Sequence, residues 1–112
     1  MHEVHQVQRV VGEALKIAQE RKAPKVKSVT LLVGEALGFD EGCIRLYWED
    51  MTPGTVLEGS ELFLQFVPVK LQCPKCQQIF EKRKSDLECP QCRVLGKPLS
   101  GGKEFSIKDL SI

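Results

Sequence analysis

Two pairs of cysteines have the spacing of a metal cage. They are Cys73 with Cys76, and Cys89 with Cys92. A tight turn brings both sulfurs of one pair to the same side of the backbone. Two such turns close a tetrahedron around one ion, with Zn–S bonds of about 2.3 Å. Four thiolates leave no open coordination position, and about thirty residues are too few to bury a core. We therefore predict a structural zinc ion that supplies most of the folding energy of this segment.

Disulfide formation and redox catalysis are the alternatives for these cysteines. Disulfides need an oxidising compartment, and the first residues contain no apolar segment of the kind found in signal peptides. A thioredoxin-type site needs a single C-x-x-C motif that opens a helix beside a βαβ sheet. Here each of the two motifs lies in a short polar turn that contains a proline. Both alternatives are therefore weaker than zinc binding.

The first residues, Met1, His2 and Glu3, form a second candidate metal site. A histidine at position 2 offers the terminal amine, its own amide nitrogen and its imidazole, which together close two fused chelate rings. Glu3 adds another amide and a carboxylate. Such nitrogen-rich, tetragonal coordination suits Ni(II) or Cu(II). On this pattern alone a solvated histidine at a frayed chain end is the commoner case, and the same holds for His5, one turn further on.

Hydrophobic periodicity predicts the elements that must position these residues. Apolar residues at three- and four-residue steps predict a first helix from Val4 to about Arg21. In its middle, Gly12 suggests a close approach to a sheet. Alternation predicts a strand over residues 26–33. A second helix is predicted over residues 41–51, with Asp40 as its N-cap. The residues that define the stripe of the first helix are Val4, Val7, Val11, Ala14, Leu15 and Ala18.

Two further strands are predicted towards the end of the chain. Residues 61–69 are apolar on both faces, which is typical of a central or well-covered strand. Residues 104–112 form the last strand, and a shift of apolar phase between Ile107 and Leu110 predicts a bulge. On the second helix, Cys43 and Leu46 are expected to lean inwards, Cys43 as a small buried apolar residue.

The element order predicts an α+β fold with two helices packed on a three-stranded sheet and an inserted zinc-ribbon domain. The predicted main domain comprises residues 1–69 plus 103–112, and the ribbon domain comprises residues 70–102. The segment Ser100-Gly101-Gly102 is expected to be a flexible return to the main domain.

Composition excludes some classes of protein. The 112 residues are 42% hydrophobic and 28% charged, with a net charge of +1, which is ordinary for a globular chain. No apolar run approaches the roughly twenty residues of a membrane span. Residues 70–103 carry eight Lys or Arg and three acids, whereas residues 1–69 carry seven and ten. This asymmetry suits an acidic protein partner, or simple solubility, better than a nucleic-acid backbone.

Several motifs together resemble the HypA/HybF family of hydrogenase/urease nickel-incorporation chaperones. The resemblance runs the whole length of the chain. Its blocks are Met1-His2-Glu3, the loop Gly34-Glu35-x-x-Gly38-x-Asp40, the turn Gly54-Thr55-x-x-Glu58-Gly59, the paired C-x-x-C motifs and Gly102-Lys103-Glu104-Phe105.

This resemblance implies a non-enzymatic carrier that binds nickel transiently. The implied nickel ligands are His2, through its side chain and amide, the amide of Glu3, and Asp40. The implied partners are a nickel-linked GTPase, the large subunit of a nickel-iron hydrogenase and, in some bacteria, a urease accessory protein. Neither nucleic acid nor a membrane is expected as a partner, and the expected compartment is the cytoplasm. The implied zinc ligands are Cys73, Cys76, Cys89 and Cys92.

The sequence departs from the family pattern at His5, where a small polar residue is expected, and at Arg93, where glycine is common.

The first rival function is a nucleic-acid-binding zinc ribbon, which the basic run Lys82-Arg83-Lys84 favours. The second is a zinc-stapled adaptor without nickel. An enzyme is a third, but no Ser/His/Asp arrangement and no phosphate-binding glycine loop is present.

Overall fold

The computed structural model describes residues 2–82, 87–99 and 102–112, with the backbone alone of His2. Four groups named in the sequence analysis lie outside the part of the chain that the structure describes. They are the terminal amine of Met1, the side chain of His2, the basic residues Arg83 and Lys84, and residues 100–101 of the predicted return segment.

Helix α1 spans His2–Glu20 and packs one apolar stripe against the sheet. Burial of the stripe confirms the predicted helix and adds Val10, which is fully buried. The prediction for Gly12 is wrong. It is exposed, and a Cβ built on it would have no heavy atom within 4 Å. Gly12 therefore makes no close approach to the sheet.

Strand β1 (Ser28–Gly34) leads through a 3-10 turn (Glu35–Leu37) into helix α2 (Glu41–Met51). The side chain of Asp40 accepts a hydrogen bond from the Cys43 N–H at 3.1 Å, which confirms the predicted N-cap. Helix α2 buries Ile44 and Trp48. The prediction for Leu46 is wrong, because its side chain is exposed.

The main sheet has the strand order β2-β1-β6. Strand β2 (Glu61–Val67) lies parallel to β1, and β6 (Phe105–Ser111) lies antiparallel to it. The fold class is thus the predicted one, with two helices on a three-stranded sheet. The register shifts opposite Thr30 and Leu31, where Lys108 is the extra residue of β6, and this confirms the predicted bulge.

The predicted central position of β2 is wrong. Strand β1 is central and β2 is an edge strand, with Phe63 47% exposed. One face of β2 packs Leu62 into the core, whereas Phe63 lies on the face of the sheet away from that core. The second apolar face of β2, which carries Phe63, is therefore an exposed surface and not a sign of a central strand.

A second three-stranded sheet, ordered β4-β3-β5, lies between β2 and β6 in the chain. Its strands are β3 (Lys70–Gln72), β4 (Ile79–Glu81) and β5 (Lys97–Pro98), all antiparallel to their neighbours. They carry the two cysteine turns of the inserted ribbon.

The chain leaves and re-enters the main sheet beside Gly34. The Gly34 N–H donates to the carbonyl of Glu104 at 2.6 Å, and the Ala36 N–H donates to the carbonyl of Gly102 at 2.8 Å. A Cβ on Gly34 would lie 2.1 Å from the Gly102 carbonyl oxygen, so only glycine permits this approach. At the base of the ribbon the Leu99 N–H donates to the Lys70 carbonyl at 3.0 Å. The two ends of the insertion therefore return close together, as predicted.

Candidate metal centre

The two cysteine turns have the same backbone hydrogen-bond pattern. The N–H of Cys73 donates to the carbonyl of Gln78 at 2.9 Å, and the N–H of Gln77 donates to the carbonyl of Cys73 at 2.9 Å. In the second turn the N–H of Cys89 donates to the carbonyl five residues later at 2.8 Å, and the N–H of Arg93 donates back to Cys89 at 2.9 Å. Two equivalent turns therefore present the two pairs of sulfurs.

These turns bring all four predicted zinc ligands together. The Sγ atoms of Cys73, Cys76, Cys89 and Cys92 lie within 4.8 Å of one another. The Cys76 and Cys89 sulfurs are 3.7 Å apart, close to the spacing of about 3.8 Å that a tetrahedron with Zn–S bonds of about 2.3 Å requires. A disulfide needs about 2.05 Å, and all five cysteines, each within the described ranges, are unbridged. The donor set fits one zinc ion.

The sulfur of Cys73 accepts hydrogen bonds from two backbone N–H groups. The N–H groups of Cys76 and Lys75 both point at it, each at 3.4 Å from nitrogen to sulfur. These hydrogen bonds, of which the one from the Cys76 N–H has the largest effect, lower the pKa of the Cys73 thiol to about 7. Burial acts in the opposite direction and raises this pKa. Hydrogen bonding with the Cys76 thiol, together with burial, raises the pKa of Cys92 to about 12. The protein thus favours one thiolate before a metal replaces the remaining protons.

Packing behind the turns fixes their orientation. Cys73 and Cys89 are fully buried, whereas Cys76 is exposed and Cys92 is half-buried. A Cβ on Gly96 would lie 2.6 Å from Cζ of Phe80 and 2.9 Å from Cβ of Leu71. The absent side chain at Gly96 therefore lets the second turn close onto β3 and β4.

Two non-glycine residues have a positive φ at equivalent positions of the turns. Gln77, four residues after Cys73, has φ 66°, and Arg93, four residues after Cys89, has φ 60°. This left-handed region favours glycine. The geometry gives a physical reason for a glycine at the position of Arg93 and shows that the arginine is accommodated without loss of a ligand.

The second predicted site brings together the starts of both helices. The Glu3 carboxylate accepts a hydrogen bond from the Asp40 N–H at 2.8 Å, across 37 positions of sequence. The Asp40 carboxylate caps α2 through one of its oxygens. A carboxylate has two oxygens with about four acceptor sites. The helix cap therefore leaves the Asp40 carboxylate able to coordinate a metal ion as well. His5 is exposed, as the solvated interpretation expects.

Sequence reasoning missed the position of Cys43. Its side chain is half-buried, not fully buried, and it lies beside the two carboxylates. Burial, followed by the negative charges of Glu3 and Asp40, raises the pKa of this thiol. Only the tertiary contact between the helix starts places a thiol here, and local periodicity carries no such signal.

The described residues include no helix that is both long and apolar enough to cross a membrane.

Comparison with known proteins identifies the family. A sequence profile described as "Hydrogenase/urease nickel incorporation, metallochaperone, hypA" matches residues 1–112. The hydrogenase maturation factor HypA of Caldanaerobacter subterraneus subsp. tengcongensis is 33% identical over 113 residues, which cover 100% of this chain and 99% of the relative. The hydrogenase maturation factor HypA of Methanocaldococcus jannaschii is 34% identical over 100 residues, which cover 84% and 81% of the two chains.

Solved structures share the fold. The solution structure of the Ni metallochaperone HypA from Helicobacter pylori superimposes with a TM-score of 0.63 at 19% identity, covering 98% of this chain and 96% of that one. A second solution structure, of a HypA protein, gives a TM-score of 0.66 at 22% identity over 100% and 96% of the two chains. With the profile match over its full length, the chain belongs to the HypA family of metallochaperones for nickel incorporation into hydrogenase and urease.

Proposed function

We propose that this protein binds Ni(II) at its N-terminus and delivers it during maturation of a nickel-iron hydrogenase. The observation that supports the proposal is the hydrogen bond between the Glu3 carboxylate and the Asp40 N–H. It joins the motif at the start of α1 to the one distant residue that family resemblance assigns to the same ion. The ligands are the imidazole and amide of His2, the amide of Glu3, and Asp40.

The position of the motif on the helix favours amide coordination. The first four N–H groups of an α-helix have no acceptor within the helix. Helix α1 begins at His2, so the amide nitrogens of His2 and Glu3 both fall in this group. A metal that replaces their protons breaks no helical hydrogen bond. Together with the imidazole of His2, these two amide nitrogens form a nitrogen-rich set that suits Ni(II).

The four cysteines hold a resident zinc ion in the same proposal. A closed set of four thiolates supplies structural cross-linking and offers no site for catalysis. We assign the protein a carrier role and no enzymatic step. Its partners in this role are the nickel-linked GTPase, the hydrogenase large subunit and possible urease accessory proteins named by the resemblance, and its compartment is the cytoplasm.

Nickel titration of untagged protein tests the proposal. His2→Ala is expected to abolish nickel binding while the zinc content and the circular dichroism spectrum stay unchanged. His5→Ala is the matched control, because it removes the neighbouring exposed imidazole and should leave the nickel stoichiometry intact. Unchanged nickel binding in His2→Ala, or its loss only in His5→Ala, would refute the assigned ligands. Isothermal titration calorimetry with metal analysis distinguishes these outcomes.

A further inference from the structure

The segment that connects α1 to β1 is strongly basic. Four of the seven Lys or Arg in residues 1–69 fall within residues 21–27, which contain no acid. The rest of residues 1–69 carries three cations and ten acids. The four cations of this segment, called here the basic patch, are Arg21, Lys22, Lys25 and Lys27, and all four residues are exposed. An isolated basic patch therefore lies on an otherwise acidic part of the chain.

The described part of the chain does not neutralise the basic patch. Its ion pairs are Arg9 with Glu13 and Arg45 with Glu41, each within one helix, and none involves a residue of the patch. Two of the four cations, Arg21 and Lys22, follow the last turn of α1, where the helix dipole favours positive charge. The other two lie beyond the reach of that effect, so the structure of the chain itself does not account for them.

Backbone hydrogen bonds fix the position of the two lysines nearest to β1. The Lys27 N–H donates to the carbonyl of Ser111 at 2.8 Å, and the Lys27 carbonyl accepts from the Glu61 N–H at 2.9 Å. Val26 is only 1% exposed, and the lysines on either side of it are exposed. Lys25 and Lys27 are therefore presented on a fixed backbone, which lowers the ordering cost of binding.

An open cavity of about 550 Å³ lies beside these lysines. This volume is within the range of ligand pockets, about 300–1,000 Å³. Its walls include the apolar residues Pro24, Val26 and Ile112, and Ile112 is 42% exposed. Lys25 and Lys27 also line it, and Glu61 is the one acid in its walls. The cavity thus offers apolar contact next to two cations.

We propose that this cavity and the basic patch bind an acidic segment of a partner protein, with an apolar side chain in the cavity and carboxylates on the four cations. Charge complementarity selects this occupant. Arg21 and Lys22 lie outside the cavity walls, with Cα atoms at most about 11 Å from that of Pro24 along the chain. A ligand that meets all four cations therefore extends beyond the cavity, as a peptide does and a small anion does not.

A protein segment also fits better than a nucleic acid. The ten acids of residues 1–69 surround the patch with negative charge, which repels a long polyanion but not a short segment confined to the patch. None of the residues that line the cavity is aromatic, so the cavity offers no surface for base stacking.

The proposal goes beyond nickel transport, because none of these residues belongs to either metal site. The basic patch precedes β1, whereas Asp40 and the ribbon attachment lie beyond the other end of that strand, at Gly34. From Ser28 to Gly34 the strand rises about 20 Å. A short segment bound at the patch therefore leaves both metal sites accessible.

Nuclear magnetic resonance of the zinc-bound, ¹⁵N-labelled full chain tests the proposal. The probe is a capped heptapeptide in which one leucine precedes four glutamates, with glycine at the remaining positions. We expect it to shift the amides of Lys25, Lys27 and Gly59, with a Kd of about 1 mM, as a few exposed ion pairs and one apolar contact give. Raising the salt from about 50 mM to about 500 mM should weaken binding about tenfold, because exposed charges are screened.

Two control peptides separate the two contacts. Replacement of the four glutamates by glutamine removes the charge at nearly constant size and should weaken binding about tenfold. Replacement of the leucine by glycine removes the apolar contact and should also weaken binding about tenfold.

Charge-reversal variants locate the contact. Lys25→Glu combined with Lys27→Glu should weaken the acidic peptide about tenfold. The matched control combines Lys97→Glu with Lys103→Glu, which makes the same change of net charge at exposed residues in and beside the ribbon and should change the affinity by less than about twofold. If the first variant fails to fold, Lys25→Gln combined with Lys27→Gln should weaken binding about threefold.

Three results would overturn the proposal. The first is equal binding of the glutamate and glutamine peptides. The second is a set of shifts confined to the ribbon, which is also basic. The third is tighter binding of a short DNA duplex than of the acidic peptide at the same salt, with loss of that binding in the Lys25 and Lys27 variants, which would assign the patch to nucleic acid.

Discussion

The four cysteines and the N-terminal residues hold their proposed metal ligands in opposite ways. The sulfurs are placed by two equivalent turns, each closed by paired backbone hydrogen bonds, and two of the four cysteines are fully buried. At the N-terminus an exposed hydrogen bond from the Asp40 N–H to the Glu3 carboxylate joins the two helix starts. In the proposed function, the first arrangement is a closed cage that retains a zinc ion, and the second is an open set of ligands from which a nickel ion leaves. Under this proposal one chain uses sulfur for structure and nitrogen for transport.

Removal of zinc should have the largest effect. We expect Cys73→Ala, or a strong chelator, to unfold the segment 70–102 while the core of residues 1–69 plus 103–112 remains folded, because structural zinc supplies about 10–16 kcal/mol in small metal-dependent domains. The measurement is amide dispersion in ¹⁵N spectra together with zinc content.

Cys43→Ala is the matched control for that experiment, since Cys43 lies outside the cage. It should retain one zinc per chain and a folded ribbon. Unfolding of both segments together after zinc loss would show that the proposed two domains are one cooperative unit. A ribbon that stays folded without zinc would remove the structural role of the metal.

Acidification should weaken nickel binding at the proposed N-terminal site. Protons compete for the imidazole and amide nitrogens of the proposed site, and a free imidazole titrates at about pH 6.5. Nickel affinity should therefore fall as the pH drops from about 7.5 to about 6, by about tenfold per pH unit for each proton that binding releases. Calorimetry at several pH values measures the slope. Nickel affinity that is independent of pH over this range would exclude nitrogen coordination.

Substitutions at Asp40 should separate its two roles. Asn is as good an N-cap as Asp, whereas Ala costs about 1 kcal/mol of stability. Asp40→Asn should keep the melting temperature and weaken nickel binding by at least about tenfold, because even residues that only orient a ligand contribute about 10–100-fold to metal affinity. Asp40→Ala should lower both. If Asp40→Asn binds nickel as the native protein does, Asp40 is a cap only.

The local features of both sites could be predicted from sequence, but their surroundings could not. The spacing of Cys73 and Cys76 and the cap at Asp40 are set by residues within a few positions, so the pattern contains them. Sheet order depends on pairing between distant segments, and the apolar faces of residues 61–67 fit an edge as well as a centre. The contact of Glu3 with Asp40, and hence the surroundings of Cys43, arises only when the two helices pack.

The smallest expected effect is within the cage, at the strained position of its second turn. Arg93 has φ 60°, a conformation that costs an L-residue about 1–2 kcal/mol, whereas glycine adopts it freely but loses about 0.5–1 kcal/mol through its more flexible unfolded chain. Arg93→Gly should therefore stabilise the ribbon by about 0.5–1 kcal/mol. Gln91→Gly, an exposed position in the same turn without a positive φ, should destabilise it by a similar amount. Competition with a chelator, followed by zinc release, measures both. If Arg93→Gly releases zinc more readily than the native chain, the arginine makes a stabilising contact that outweighs the strain of its backbone.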